Sequence, residues 1–243
     1  MENKTCLSYW YPRVCTLPGI LTPRTLVFTK DCKSGMPVNA LFKEFGGETI
    51  SKEEEKDITH FINALATAGH EVGYPCFLRT GLTSGKHEWV KTCHVERAGA
   101  MSSHVYRLVD TSLCVDLSFN VWAVRELLPT QPAFHAFAGM PICQEYRCFG
   151  KDGKFLCIHP YWPEDSIRDP APARGWKKKL KEMSEIQWPT KGLLSHKTEQ
   201  VTKALGGYWS VDWLWVPGKG WYLTDMAEGE VSFHWRGCPH GDK

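Results

Sequence analysis

Asp212 and Asp225 are the residues whose types and spacing point most directly to chemistry. They lie in Trp209-Ser210-Val211-Asp212-Trp213-Leu214-Trp215-Val216 and in Trp221-Tyr222-Leu223-Thr224-Asp225-Met226, on either side of Pro217-Gly218-Lys219-Gly220. Aromatic and β-branched runs around a Pro/Gly turn predict two antiparallel strands. Closing the turn with Val216 opposite Trp221 pairs Leu214 with Leu223 and Asp212 with Asp225, and a two-residue Gly218-Lys219 turn gives the same register. Directly opposed side chains have Cβ atoms about 5 Å apart, where like charges repel. A hard divalent cation such as magnesium relieves that repulsion, because carboxylate oxygens are its natural ligands. The alternative is that each aspartate bonds a nearby Lys or Arg.

Cationic groups stand earlier in the chain. Tyr74-Pro75-Cys76-Phe77-Leu78-Arg79 reads as a strand, and Thr80-Gly81-Leu82-Thr83-Ser84-Gly85-Lys86-His87 follows as a small-residue loop. Such loops can bring backbone N–H groups close to phosphate oxygens, with lysine adding a point charge. The loop is not a P-loop, since the spacing before Gly85-Lys86 lacks the required glycine; a plain surface turn is the competing reading. Glu145 and Arg147, two apart on a strand, project from one face. They form either a structural ion pair or part of a polar cleft lining. His87 and His234 titrate near neutral pH in principle, yet nothing in their spacing makes either one catalytic.

The elements that must position these groups are short and mixed. Residues 7–30 read as extended segments with Pro breaks. Ser51 and Glu54 form a capping box that opens a helix, in which Ile58, Phe61, Ile62 and Leu65 fall at helical spacing, with Gly69 as its end. Val121–Val124 and Met140–Phe149 are strand-like, and Phe155–Ile158 returns as a hairpin partner after Lys151-Asp152-Gly153-Lys154. Residues 163–175 predict a loop, and 176–206 helix with breaks at Pro189 and Gly192. Trp213, Trp215 and Tyr222 are expected on one face of the last hairpin, packing the core. Helices and antiparallel hairpins in separate blocks define an α+β class.

With 243 residues, 42% hydrophobic and 23% charged, the chain has the composition of an ordinary globular protein. A net charge of +2 gives no field that would by itself recruit nucleic acid or a membrane surface. Lys177-Lys178-Lys179-Leu180-Lys181 reads as a solvated helix face. No apolar run reaches the roughly 18 residues of a membrane span, and no signal peptide is evident, so a cytoplasmic location is expected. Ten cysteines occur without a CxxC pair. Cys76, Cys143, Cys148 and Cys157 in apolar runs suggest buried thiols in a reducing compartment. His234…Cys238-Pro239-His240 has zinc-binding residue types, but no neighbouring ligands that would close a site are evident.

The order of strand, basic Gly loop, strand, hinge-like segment, hairpin and acidic hairpin resembles the ATP-grasp superfamily over about residues 74–235. Arg79 stands where that family usually has a phosphate-reaching lysine. Thr83-Ser84-Gly85-Lys86 is similar to its mobile phosphate-covering loop, and Val124-Arg125-Glu126-Leu127-Leu128 to its inter-lobe hinge, which meets adenine and ribose. Val211-Asp212 and Leu223-Thr224-Asp225 resemble the two acidic magnesium positions. Glu145-Tyr146-Arg147-Cys148-Phe149 resembles a strand of the small clade that includes the assembly chaperone of translation initiation factor 2, and bacterial and phage proteins of similar size look most alike. In one departure, the family's Glu/Asp-x-Asn is here Asp225-Met226-Ala227; Ala227 cannot ligate, and Glu228 or Glu230 lies beyond the expected position. The domain that precedes the ATP-binding lobes in many family ligases is short or missing.

The resemblance implies two lobes with a nucleotide cleft between antiparallel sheets. Residues 1–123 would contain the smaller lobe, from about 74, and residues 124–243 would form the larger. It implies ATP and magnesium as cofactors. Arg79, Thr83, Ser84, Gly85, Lys86, Arg125, Glu126, Leu127 and Glu145 would bind the nucleotide, Asp212 and Asp225 the metal, and Lys86 and Arg147 would stabilise the transferring phosphoryl. The implied activity is an ADP-forming ligase that joins a carboxylate to an amine through an acyl phosphate, on substrates that include peptides or proteins. The alternatives are an ATP-binding assembly factor with little turnover, and a phosphotransferase or nucleic-acid ligase.

Overall fold

The computed structural model describes residues 3–29, 36–167 and 173–241. In chain order its elements are α1 (Leu7–Val14), β1 (Thr25–Phe28), α2 (Val38–Phe45), α3 (Lys52–Val72), β2 (Cys76–Thr80), β3 (His94–Val95), α4 (Met101–Cys114), β4 (Trp122–Glu126), β5 (Phe134–Ala136), β6 (Met140–Ile142), β7 (Glu145–Lys151), β8 (Lys154–Pro160), α5 (Trp176–Ser184), α6 (Trp188–Leu205), β9 (Tyr208–Val216) and β10 (Gly220–Glu228). They form two units. One comprises residues 24–127 and 138–140, the other 1–23, 128–137 and 141–243.

In the first unit a four-stranded antiparallel sheet has the order β1-β4-β2-β3. The capping box forms as expected: the Ser51 hydroxyl accepts from the Glu54 N–H, and the Glu54 carboxylate accepts from the Ser51 N–H. The helix runs past Gly69 to Val72. Gly69 is an interior residue whose missing Cβ makes room for Tyr74: a Cβ there would lie 2.2 Å from the Tyr74 hydroxyl. The terminator is Gly73, at φ +95°. Ile58, Phe61, Leu65 and Val72 of α3 join Met101, Val105, Leu108 and Val109 of α4 in one core with Cys76, Leu78, Trp122 and Val124 of the sheet. Burying each large side chain contributes about 1.5–3 kcal/mol. Because strand side chains alternate, Phe77, Arg79, Ala123 and Arg125 project from the opposite face.

The second unit holds the antiparallel sheet β10-β9-β7-β8. Residues 7–14 form a helix and not the expected extended segments. Leu7, Trp10 and Val14, at i, i+3 and i+7, bury one stripe, and that burial outweighs the backbone bond lost at Pro12. Pro189 lies in the first turn of α6, where a missing N–H costs nothing, and Gly192 continues that helix, so neither breaks it. Of the expected loop 163–175, Glu164–Ser166 form a 3₁₀ turn and residues 168–172 lie outside the described residues. The α6 side of the sheet is marked by Thr198, whose hydroxyl accepts from the Trp213 indole N–H at 3.1 Å. Tyr146, Cys148, Val211, Trp213, Leu223 and Met226 share that buried side.

Candidate functional site

The β9–β10 turn has three residues, Pro217-Gly218-Lys219, closed by Lys219 N–H to Val216 carbonyl at 3.0 Å. Gly218 at φ +73° and Gly220 at φ +107° supply the left-handed backbone this turn needs. Val216 therefore pairs with Gly220 and not with Trp221, and Leu214 pairs with Tyr222 and not with Leu223. Tyr222 accordingly lies on the face opposite Trp213 and Trp215. Asp212 nevertheless faces Asp225, because a β-bulge at Thr224 inserts one residue and restores the offset. The Thr224 hydroxyl donates to the Asp212 carbonyl at 3.3 Å, fastening the bulge.

The register extends the acid pair into a row across all four strands: Asp225 (β10), Asp212 (β9), Arg147 (β7) and His159 (β8). Arg147 grips Asp212 in bidentate fashion, Nε to Oδ1 at 2.8 Å and the second guanidinium nitrogen to Oδ2 at 2.9 Å. Its guanidinium also lies over the Tyr161 ring at 4.8 Å. Burial opposes the Arg147 charge, but Asp212, Tyr161 and Glu145 together more than offset it, so the pKa lies above the ordinary arginine value. Glu145 projects from the same face two residues away, yet the partner of Arg147 is Asp212. Burial first, then the charges of His234 and Arg147, lower His159 to about 4, so it is neutral at physiological pH. The row thus carries two carboxylates and one guanidinium, a net charge of −1.

Magnesium fits this face in part. The two opposed carboxylates are suitable oxygen donors, but both Asp212 oxygens already accept from Arg147, and the Asp225 Oδ1 accepts from the Met226 N–H at 3.0 Å. Ala227, on the same face two residues on, offers no ligand. Glu228 follows it on the opposite face, paired with Trp209, and Glu230 lies in a 3₁₀ turn and is exposed.

In the first unit, Arg79 is 3% exposed and donates from Nε to the Thr80 carbonyl. Arg125, also 3% exposed, donates from Nε to the Thr25 hydroxyl at 3.0 Å; it is paired with Phe77, which puts it diagonally across from Arg79. The Thr83–Lys86 loop is internally bonded. The Thr80 hydroxyl accepts from the Thr83 N–H at 3.0 Å, the Thr83 hydroxyl from the Gly85 N–H at 3.3 Å, and the Thr92 hydroxyl donates to the Gly85 carbonyl at 2.7 Å. Ser84 and Lys86 are half-buried in this loop. His87, beside Lys86, has a lowered pKa through burial and the lysine charge. Glu126 accepts from the Arg24 N–H at 2.8 Å, and Leu127 is the last residue of this unit before the chain passes into the other.

Sequence reasoning missed three participants. Arg107 on α4 holds Glu88 with two bonds of 2.6 and 2.7 Å, fixing the 3₁₀ turn that carries Lys86; their separation of nineteen residues gave no local signal. His159 and Tyr161 lie beyond the Phe155–Ile158 run that the sequence marks as a strand, whereas β8 continues to Pro160. The alternation Cys157-x-His159-x-Tyr161 would have placed all three on the face of Arg147.

Helices and antiparallel sheets combined in two units are the fold class these observations define. C-terminally truncated Cdc123 from Schizosaccharomyces pombe is similar at TM-score 0.50 and 14% identity, over 94% of this chain and 86% of that one. Cdc123 from the same organism gives 0.50 and 14%, over 93% and 83%. A RimK domain ATP-grasp protein from Sphaerobacter thermophilus gives 0.49 and 15%, over 94% of this chain and 60% of that one. No protein-family model matches the sequence, and no curated protein matches it. Identities this low speak to fold alone.

Proposed function

We propose that the protein is an ATP- and magnesium-dependent ligase of the ADP-forming kind, joining a carboxylate to an amine or similar nucleophile. The observation that carries this reading is the row Asp225–Asp212–Arg147 on one sheet face, with Glu145 beside it. Acidic groups suited to a metal and a planar cation suited to a phosphoryl group adjoin there. Asp212 and Asp225 would hold magnesium, which when bound would neutralise charge on the β- and γ-phosphates. Arg79 and the Thr83–Lys86 loop would meet the phosphates, and Arg125, Glu126, Leu127 and Glu145 the nucleoside. Arg147 would orient and stabilise the transferring phosphoryl, a role for which its bond to Asp212 holds the guanidinium in a fixed plane. The resemblance to the small bacterial and phage-type clade belongs to the same proposal.

A second reading, a nucleotide-binding assembly factor with little turnover, is favoured by one observation: Ala227 stands where the resemblance calls for a metal-ligating asparagine. The two readings separate in a single assay series. ADP release is measured with carboxylate and amine acceptors for the wild type, Asp212→Asn and Asp225→Asn, alongside calorimetric binding of a non-hydrolysable ATP analogue. The ligase reading expects acceptor-dependent ADP release that both variants lose. Tight analogue binding without release would favour the assembly factor, and full activity in both variants would refute the metal assignment. Lys86→Ala is expected to weaken analogue binding while leaving the thermal transition in place; unchanged affinity would remove the loop from the site.

No helix among the described residues is long and apolar enough to cross a membrane.

A further inference from the structure

The second unit brings together a set of side chains that the nucleotide reading does not use. Cys157 and His159, two apart on β8, point to the same face. His234 and Cys238 come from the segment after β10. One ligand atom from each of the four lies within 4.8 Å of every other. Two sulfurs and two imidazole nitrogens are the donor set of a closed tetrahedral zinc site.

Several details match a built site. Cys157 Sγ and His234 Nδ1 are 3.7 Å apart, against about 3.6 Å for the edge of a tetrahedron with Zn–S near 2.3 Å and Zn–N near 2.05 Å. The other nitrogen of His234 bonds the Tyr208 hydroxyl at 2.7 Å, the kind of outer contact that fixes the tautomer and plane of a ligating imidazole. Its ring also stacks on Phe149 at 3.6 Å. The tail is held in place after His234: the Trp235 indole N–H donates to the Pro160 carbonyl at 2.9 Å, next to His159, and Gly237 at φ +84° turns the chain so that Cys238 comes back. His159 Nε2 is buried without a hydrogen-bond partner, which is unfavourable unless something binds it. A Cys157–Cys238 disulfide would leave that nitrogen in the same state, whereas a metal would satisfy it.

We infer that Cys157, His159, His234 and Cys238 bind a structural zinc ion that clasps the C-terminal segment to strand β8. Binding releases the two thiol protons to solvent, so two thiolates and two neutral imidazoles leave the zinc centre without net charge. The ligand order Cys-x-His…His-x₃-Cys spans two distant segments, which is why neither half reads as a zinc motif by itself.

The test uses the full chain and metal ions alone. After dialysis against excess magnesium, the purified protein is expected to retain about one zinc per chain. Replacement by cobalt should give the intense visible bands of tetrahedral coordination together with thiolate-to-cobalt charge transfer. Cys157→Ser and Cys238→Ser should each lose stoichiometric zinc, His240→Asn should keep it, and Tyr208→Phe should weaken it by about 10–100-fold. Chelation should expose the bond after Arg236 to trypsin, and zinc should protect it. The inference falls if the wild type holds no stoichiometric zinc, if its mass shows a Cys157–Cys238 disulfide, or if both serine variants keep zinc. Should the variants not fold, a wild-type cobalt spectrum without thiolate charge transfer overturns it independently, and tryptic cleavage indifferent to zinc overturns the clasp. None of these readouts depends on nucleotide, so the inference stands or fails apart from the ligase reading.

Discussion

Removing Arg147 should damage the protein more than removing the charge of its partner Asp212. The Asp212 side chain is 5% exposed and that of Arg147 22% exposed. In Arg147→Met a buried carboxylate loses both of its charge-assisted bonds while still facing Asp225 directly. Stranding one member of a buried pair costs about 3–5 kcal/mol, and the partial exposure of the arginine favours the lower end, about 3 kcal/mol. In Asp212→Asn the amide oxygen still accepts one bond, the repulsion across the hairpin disappears, and Arg147 keeps Tyr161 beneath it, so the loss should be about 1–2 kcal/mol. All of the eleven tryptophans except Trp89 and Trp122 lie in this unit, so urea unfolding followed by tryptophan fluorescence reports mainly on it. Magnesium sharpens the comparison. With Arg147 gone, the opposed carboxylates should bind the cation more tightly, and magnesium at about 100 times its dissociation constant would restore about 2.7 kcal/mol. Asp212→Asn should recover little. If Arg147→Met is no less stable than Asp212→Asn, the pair is not the anchor described here. If magnesium leaves the Arg147→Met loss unchanged, the two aspartates do not form a cation site.

Three further outcomes follow from the geometry. Gly69→Ala should destabilise by about 1–2 kcal/mol despite alanine's better helix propensity, since its Cβ would lie 2.2 Å from the Tyr74 hydroxyl; thermal unfolding should show the sign reverse in a Tyr74→Ala background. Glu54 is lowered to about 2, first by its bond to Lys43 and then by the Ser51 N–H, below an unfolded value of about 4.3. Its contribution is therefore present above about pH 4.3 and lost as the pH falls toward 2, so wild-type and Glu54→Gln melting curves should converge on acidification; a gap independent of pH would contradict the assignment. Deleting Thr224 removes the bulge yet leaves Asp225 directly after Leu223 and so still opposite Asp212, so the hairpin should form and the magnesium response in the assay above should persist; its loss would mean that the bulge itself shapes the acid pair.

Those elements whose cause is local were legible in the sequence. The capping box at Ser51, the strands around Arg79 and Arg125, and the shared face of Glu145 and Arg147 each rest on neighbouring residues. Misreadings came where packing decided. Pro12 and Pro189 look like interruptions in the sequence, but a buried stripe carries α1 through the first and a helix start absorbs the second. Gly69 has the residue type of a terminator, yet its role is to admit Tyr74, a contact visible only once the chain has turned back. The last hairpin is instructive because the Asp212–Asp225 pair was right for the wrong reason: the turn is one residue off the assumed closure, and the Thr224 bulge compensates. No pattern of residue types announces a bulge fastened by a hydroxyl to a carbonyl across the ladder.

The proposed magnesium pair and the inferred zinc cluster would share one sheet face with different donor types. Hard carboxylates stand on β9 and β10, soft thiol and imidazole donors on β8, and Arg147 on β7 lies between them. A hard cation gains nothing from the sulfur ligands and zinc is drawn to them, so ligand type sorts the ions. Arg147 reinforces the sorting: its fixed charge repels a cation drifting across the face and holds Asp212 on the acid side. His159 completes the boundary, standing opposite Arg147 on β8 with its Nε2 buried. Arg147→Met should therefore do more than destabilise. It should let the Asp212 carboxylate and the Cys/His cluster compete for one zinc ion, seen as a cobalt spectrum shifted from four-coordinate toward higher coordination. An unchanged spectrum would mean that the strand spacing alone keeps the two sets apart.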